Sequence, residues 1–262
     1  MSIEMDKLPP IFRYTRPELP EDCIHAISPS QINNFFAVPK IWYEDNMTDN
    51  EKSFQGNTAS VTGTIAHHIY KSVTLGEEVS RKEINEQLIE YAQLRPELEL
   101  DINQIMIDYP LVTGEVVNNY VIPHDKQGGV LKIEEQVVAK VMPSIYIAGS
   151  FDRLEGDCVT DYKTVGIKPN DITIPFNYRI QLLAYAYALR QTGHEVNRIR
   201  IVYGVKPTKT IPARCIVVTE QIDYVAEKLI EDTLKLIGES VLTVLENPSL
   251  THIIFKSMDL KQ

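Results

Sequence analysis

Residues 149–164 read Gly149-Ser150-Phe151-Asp152-Arg153-Leu154-Glu155-Gly156-Asp157-Cys158-Val159-Thr160-Asp161-Tyr162-Lys163-Thr164, and their reading decides the fold. They fit two strands, Ile145 to Arg153 and Cys158 to Thr164, joined by a tight turn near Glu155-Gly156. A two-residue turn there pairs Leu154 with Asp157 and Asp152 with Val159. Paired residues share a face, as do residues two apart on one strand, so Asp152, Val159, Asp161 and Lys163 would point the same way. A three-residue turn would pair Asp152 with Thr160 instead. Buried unpaired carboxylates are costly, so two of them beside an ammonium on a half-apolar strand imply a cation or an ion-pair network. Oxygen ligands favour hard ions such as Mg²⁺ or Mn²⁺ over zinc. For D-x-K on its own, an exposed hairpin with a weak Asp161–Lys163 surface pair is the plainer reading.

Working outward, an alternating run of Leu131, Ile133, Glu135, Val137 and Ala139 predicts a strand before the hairpin. Phe176 to Gln191 predicts a helix after it, followed by strands at Ile199–Val205 and Cys215–Thr219 and a long amphipathic helix over Ile222–Leu245. Upstream the pattern is helical. Ser28 is a candidate N-cap and Pro29 a first helical residue for a short helix that Pro39 ends. Residues 44–57 are polar and loop-like. Ile65, Ile69 and Val73 mark a helix from about Thr58, and Ser80-Arg81-Lys82-Glu83 is a capping-box pattern opening a helix towards Leu94. A fourth helix over about Asp101–Tyr120 must be kinked or split at Pro110. The order gives an α/β (α+β) fold: residues 1–27 an irregular proline-containing arm, 28–127 a helical region, and 128–262 a mixed central sheet flanked by helices, all integrated as a single domain.

Composition narrows the classes. Three cysteines in 262 residues, Cys23, Cys158 and Cys215, have no CxxC spacing, which gives no disulfide framework or thiolate metal site. No apolar run approaches the roughly 20 residues of a membrane span, and MSIEMDKLPP has no signal-peptide character, so an intracellular protein without a membrane partner is expected. The net charge is −10, yet it is unevenly spread. Residues 161–215 carry 9 basic and 3 acidic side chains, a net +6 inside an acidic chain. Arg179, Arg190, Arg198, Arg200, Lys206 and Lys209 are therefore candidates to cradle phosphates.

Five motifs occur in order: Ser28-Pro29-Ser30-Gln31-Ile32-Asn33-Asn34-Phe35, Gly63-Thr64-Ile65-Ala66-His67, Gly149 to Asp152, Asp161-Tyr162-Lys163-Thr164, and Gln181-Leu182-Leu183-Ala184-Tyr185. Together they resemble the RecB/Cas4-like exonuclease branch of the PD-(D/E)xK nuclease superfamily, over most of residues 28–190. The resemblance implies a restriction-endonuclease-like core and a Mg²⁺- or Mn²⁺-dependent deoxyribonuclease acting on DNA ends, with a replication or recombination protein as a further partner. It implies Asp152, Asp161 and His67 as metal ligands and Lys163 as the residue that orients the attacking water and offsets transition-state charge. Glu135, on the parity of Ile133 and Val137, stands where some relatives carry another acidic ligand, although Glu134 could serve in its place. Ser30, Arg179, Gln181 and Tyr185 would contact DNA, with Gln181 and Tyr185 also lining the catalytic centre.

Departures from the family pattern matter as well. Only Cys23 precedes the core and nothing after Cys215 completes a set of four, so no iron–sulfur cluster is expected. No GxxxxGK[ST] motif occurs, hence no helicase motor. A free-standing version of 262 residues also resembles exonucleases encoded by phages and organelle-directed systems. The alternatives are a non-catalytic DNA-binding or scaffold subunit, for which no ligand is missing, and a sequence-specific endonuclease, for which residues 80–127 are too short and acidic to be a recognition subdomain.

Overall fold

The computed structural model describes residues 5–48, 56–167, 169 and 171–256. Among the described residues, a six-stranded mixed sheet is flanked by eight α-helices. The strands are β1 (His25–Ile27), β2 (Val130–Met142), β3 (Ile145–Glu155), β4 (Cys158–Val165), β5 (Arg198–Val205) and β6 (Arg214–Gln221). The helices are α1 (Ile32–Ala37), α2 (Pro39–Met47), α3 (Thr58–Thr74), α4 (Arg81–Leu94), α5 (Ile102–Val116), α6 (Ile122–Asp125), α7 (Phe176–Gln191) and α8 (Tyr224–Glu246).

β3 organises the sheet. One edge pairs along its length with antiparallel β2. The opposite edge pairs with parallel β1 only up to Ile27↔Ile147, and with antiparallel β4 only from Arg153↔Thr160. Among the described residues, 148–152 therefore have no strand on that edge. Beyond β4 the sheet continues through parallel β5 to antiparallel β6. The crossover from β4 to β5 is α7, which buries Ile180, Leu183 and Ala184 in the main core with Val159, Ile199 and Ile201.

The helical region has its own apolar cluster, in which Ile65 and Ile69 of α3 meet Leu88 of α4 and Ile105 of α5. A third cluster joins it to the sheet: Ala66 and Tyr70 of α3 pack with Val116, Tyr120, Tyr162 and Val202. Because Ala66 and Tyr70 flank His67, this contact fixes where His67 points. The helix starts where it does because Asn57 accepts from the Ser60 N–H at 2.9 Å while the Ser60 hydroxyl accepts from the Asn57 N–H at 2.8 Å.

Several expectations need correction. The hairpin turn is Gly156-Asp157, with Gly156 at φ +52°, so Glu155 pairs with Cys158 and Arg153 with Thr160. Neither expected pairing of Asp152 forms. Pro39 ends α1 but also starts α2, so 44–47 are helical rather than loop; of the remaining stretch, residues 49–55 lie outside the described residues. The expected irregular arm ends in strand β1. Pro110 does not split α5, which runs through it and widens into a π-helical turn over Val117–Val121. The Met106 carbonyl, which a proline at 110 deprives of its helical donor, accepts from the Arg81 guanidinium at 3.4 Å.

Candidate active site

The unpaired edge of β3 is where the polar side chains converge. Tyr185 of α7 donates its hydroxyl to the Ser150 carbonyl at 2.6 Å, satisfying one backbone group that has no strand partner. Gly149 makes room for it, since a Cβ there would lie 3.2 Å from the Tyr185 ring and hydroxyl and 3.0 Å from Pro29. Two residues beyond Ser150, Asp152 turns into the gap between β3 and β4 and accepts the Tyr162 N–H on Oδ2 at 2.6 Å. Its other oxygen lies 3.3 Å from His67 Nδ1.

Glu134 completes this group from β2, with Oε1 also 3.3 Å from His67 Nδ1. Ligand atoms of His67, Glu134 and Asp152 all lie within 4.8 Å of one another. His67 Nε2 sits 3.1 Å from the Tyr162 carbonyl, which fixes the ring. Burial works against a charged imidazole here, but the Asp152 and Glu134 carboxylates outweigh it and raise the His67 pKa well above its ordinary value. Asp152 is likewise disfavoured by burial, and His67, Lys163 and the Tyr162 N–H together bring its pKa below the usual carboxylate value.

Asp161 stands beside this group rather than within it. Lys163 donates to its Oδ1 at 2.9 Å, and Gln181 donates to the same oxygen at 3.1 Å. Oδ2 is buried, lies 2.8 Å from the Lys163 ammonium and accepts no hydrogen bond among the described residues. Burial, reinforced by Asp152 and opposed by Lys163, pushes Asp161 up to about 6. For Lys163 burial is outweighed by Asp161 and Asp152, so its pKa rises and it remains an ammonium, 5.3 Å above the Tyr178 ring.

Other expected residues fall elsewhere. Glu135 is exposed and pairs with Lys132; of the two candidates it is the alternative, Glu134, that meets His67. The cause is local: Glu134 takes φ +48°, which breaks the strand alternation that pointed to Glu135. Arg179 pairs with Glu220 at 3.0 Å. Arg190 pairs with Glu227, Arg198 with Asp157, Arg200 with Glu155 and Lys206 with Asp108, so the expected phosphate cradle is largely neutralised by the protein's own carboxylates. Ser30 is exposed, its hydroxyl 3.1 Å from that of Ser28.

Two carboxylates and an imidazole around one point, with a buried carboxylate oxygen close by, suit a hard divalent cation with oxygen-rich ligands. A mixed sheet that holds such donors at a break between two strands defines the class as nuclease-like. The sequence matches the PD-(D/E)XK nuclease superfamily over residues 26–247, and the chain belongs to that superfamily. Among solved structures it is similar to a candidate exonuclease from Eubacterium rectale, with 14% identity, a TM-score of 0.53, and coverage of 84% of this chain and 81% of that one. It is also similar to LHK-Exo in complex with dAMP, at 14% identity, TM-score 0.36, and coverage of 86% and 94%. No curated protein matches it. No described helix is long and apolar enough to cross a membrane.

Proposed function

We propose that the protein is a Mg²⁺- or Mn²⁺-dependent deoxyribonuclease that works from DNA ends, an exonuclease of the RecB/Cas4-like branch serving DNA repair, recombination or replication. The observation that carries this reading is the meeting of His67, Glu134 and Asp152 from three separate elements beside the Asp161–Lys163 pair. His67, Glu134 and Asp152 would hold the cation, and Asp161 offers its free oxygen to the same site. When bound, the ion neutralises the scissile phosphate and lowers the pKa of water.

The chain's own groups do the rest. Lys163, held by Asp161, donates to the attacking water and offsets negative charge on the phosphorane-like transition state. Gln181 fixes the Asp161 carboxylate, and Tyr185 holds the β3 edge that carries Asp152. Burial of Asp161 and Lys163 strengthens their electrostatic action relative to water.

Digestion of 5′- and 3′-end-labelled single- and double-stranded DNA with Mg²⁺, Mn²⁺ or EDTA, beside Lys163→Ala, tests the reading. Loss of label that needs metal and falls by about 10²–10³-fold in the variant is expected, and the product ladder identifies the starting end. Absence of metal-dependent cleavage with DNA binding intact would favour a scaffold role instead.

A further inference from the structure

Helix α7 covers the face of the sheet that carries the Asp161–Lys163 pair. Val159, Asp161 and Lys163 alternate onto that face from β4, and Tyr203 of β5 is the register partner of Lys163. On α7, Tyr178, Gln181 and Tyr185 stand at i, i+3 and i+7, a single stripe turned towards these strands. Gln181 reaches the Asp161 carboxylate, and Tyr185 reaches the β3 edge at Ser150. Tyr178 meets the third member of the group, with the Lys163 ammonium over its ring and 5.3 Å from the centroid. None of the five sequence motifs includes Tyr178.

The ring is held in place from several sides. Tyr203, wholly buried, backs it with ring centroids 6.4 Å apart. The Tyr178 N–H donates to the Pro175 carbonyl at 3.0 Å in the first turn of α7. Glu220 of β6 clamps that turn, accepting the Ile174 N–H at 2.7 Å before it and pairing with Arg179 at 3.0 Å within it. Lys163 gains from such a seat. Its ammonium ends a long flexible stem, and its hydrogen-bond partner among the described residues is Asp161, whose two oxygens lie 2.9 and 2.8 Å away. Gln181 also donates to Oδ1, and Oδ2 is the oxygen that the proposed cation would claim. The face of an aromatic ring attracts an ammonium through its quadrupole, so it holds the lysine without competing for either oxygen.

We infer that Tyr178 is a positioning residue for Lys163, its ring holding the ammonium where it meets the attacking water, an inference that rests on the nuclease reading. Asp161 fixes the ammonium from one side and the ring from another, which leaves the lysine few ways to swing out of line. The ring face makes this contact and the hydroxyl does not. Phenylalanine therefore serves as well as tyrosine, and an aliphatic side chain of similar bulk does not.

Two readouts test it, steady-state digestion of end-labelled DNA with Mg²⁺ and NMR of protein carrying ¹³C-labelled lysine. In digestion, Tyr178→Leu is expected to lower kcat about tenfold with KM unchanged, the loss of one desolvated cation–π contact. Tyr178→Phe should cleave as wild type does. In a Lys163→Ala background Tyr178→Leu should cost nothing more, because the ring then has no ammonium to hold. In the NMR spectrum the ring shifts the Lys163 ε-methylene protons upfield of the other lysines. That signal is assigned by its absence in Lys163→Ala, and it should move to the common position in Tyr178→Leu and stay in Tyr178→Phe. A phenylalanine trifluorinated on the ring keeps the shape and cancels the quadrupole, and it carries the test if Tyr178→Leu fails to fold; it should lose kcat as leucine does. Wild-type kcat in either folded variant, an equal loss in the Lys163→Ala background, or a Lys163 signal that Tyr178→Leu leaves unmoved would overturn the inference. The two readings fail separately. If wild type cleaves nothing while the Lys163 signal still moves in Tyr178→Leu, the nuclease reading falls and the seat stands. If cleavage needs metal and Lys163 but is indifferent to Tyr178, the seat falls and the nuclease reading stands.

Discussion

Asp152 and Arg153 are consecutive in β3, both are buried, and they enter two charge clusters of opposite character. Around Arg153 every charge is answered inside the protein. Its guanidinium donates to Glu155 at 2.5 Å, Asp125 at 2.6 Å and the Thr74 hydroxyl at 3.0 Å. Glu155 is met in turn by Arg200 and by the Tyr120 hydroxyl. Around Asp152, among the described residues, carboxylates outnumber the cations that meet them, His67 is shared between two acids, and Asp161 keeps a buried oxygen without a hydrogen bond. The same backbone carries both. Closed networks tie elements together, in this case β3 and β5 to α3 and the α5–α6 turn, while a cluster with leftover ligand atoms has capacity for something from outside.

That contrast can be broken most forcefully at the closed cluster. Arg153→Met leaves the buried Glu155 with Arg200 as its remaining cation and the half-buried Asp125 without its arginine, and is expected to cost about 3 kcal/mol in urea unfolding. A loss below about 1 kcal/mol would mean that the network is not what joins sheet and helices.

A smaller effect sharpens the comparison at a buried polar group that belongs to neither cluster. His25 sits 5.8 Å from the Trp42 ring, with Nε2 lacking any hydrogen-bond partner among the described residues. Burial lowers its pKa to about 4. The unfolded chain therefore takes up a proton near pH 6.5 that the folded chain refuses until about pH 4. Stability from this group is complete above 6.5 and is lost as the pH falls towards 4, amounting to at most about 3 kcal/mol. His25→Phe should remove that part of the slope between pH 6.5 and 4 in chemical denaturation, and a parallel decline in both proteins would refute it.

The sequence made some of this legible and hid the rest, for physical reasons. Helices α3, α4 and α7 were readable because caps and long apolar periodicity act locally, and Phe176–Gln191 matches the expected bounds. His67 and Asp152, which the family resemblance groups, lie 3.3 Å apart, a contact between residues 85 positions distant that no local pattern shows. The hairpin register was two residues out because the turn lies at Gly156-Asp157, but a two-residue offset keeps each side chain on its face. Strict alternation selected Glu135 over Glu134, since a positive φ at a glutamate leaves no mark in the sequence. Strand β1, three residues long, depends on its partner β3 and has no local signal. The excess of basic residues after 161 was visible, but their pairing with distant acids such as Asp108 and Glu220 was not.

Digestion of end-labelled DNA with Mg²⁺ by wild type, Glu134→Gln and Glu135→Gln tests most directly whether the open cluster is a metal-dependent catalytic site. Loss of a metal ligand should slow cleavage by at least about a hundredfold, the upper end of what removing a mere supporting partner costs. The account predicts that loss in Glu134→Gln and wild-type cleavage in Glu135→Gln. Full activity in Glu134→Gln, or a loss confined to Glu135→Gln, would contradict it.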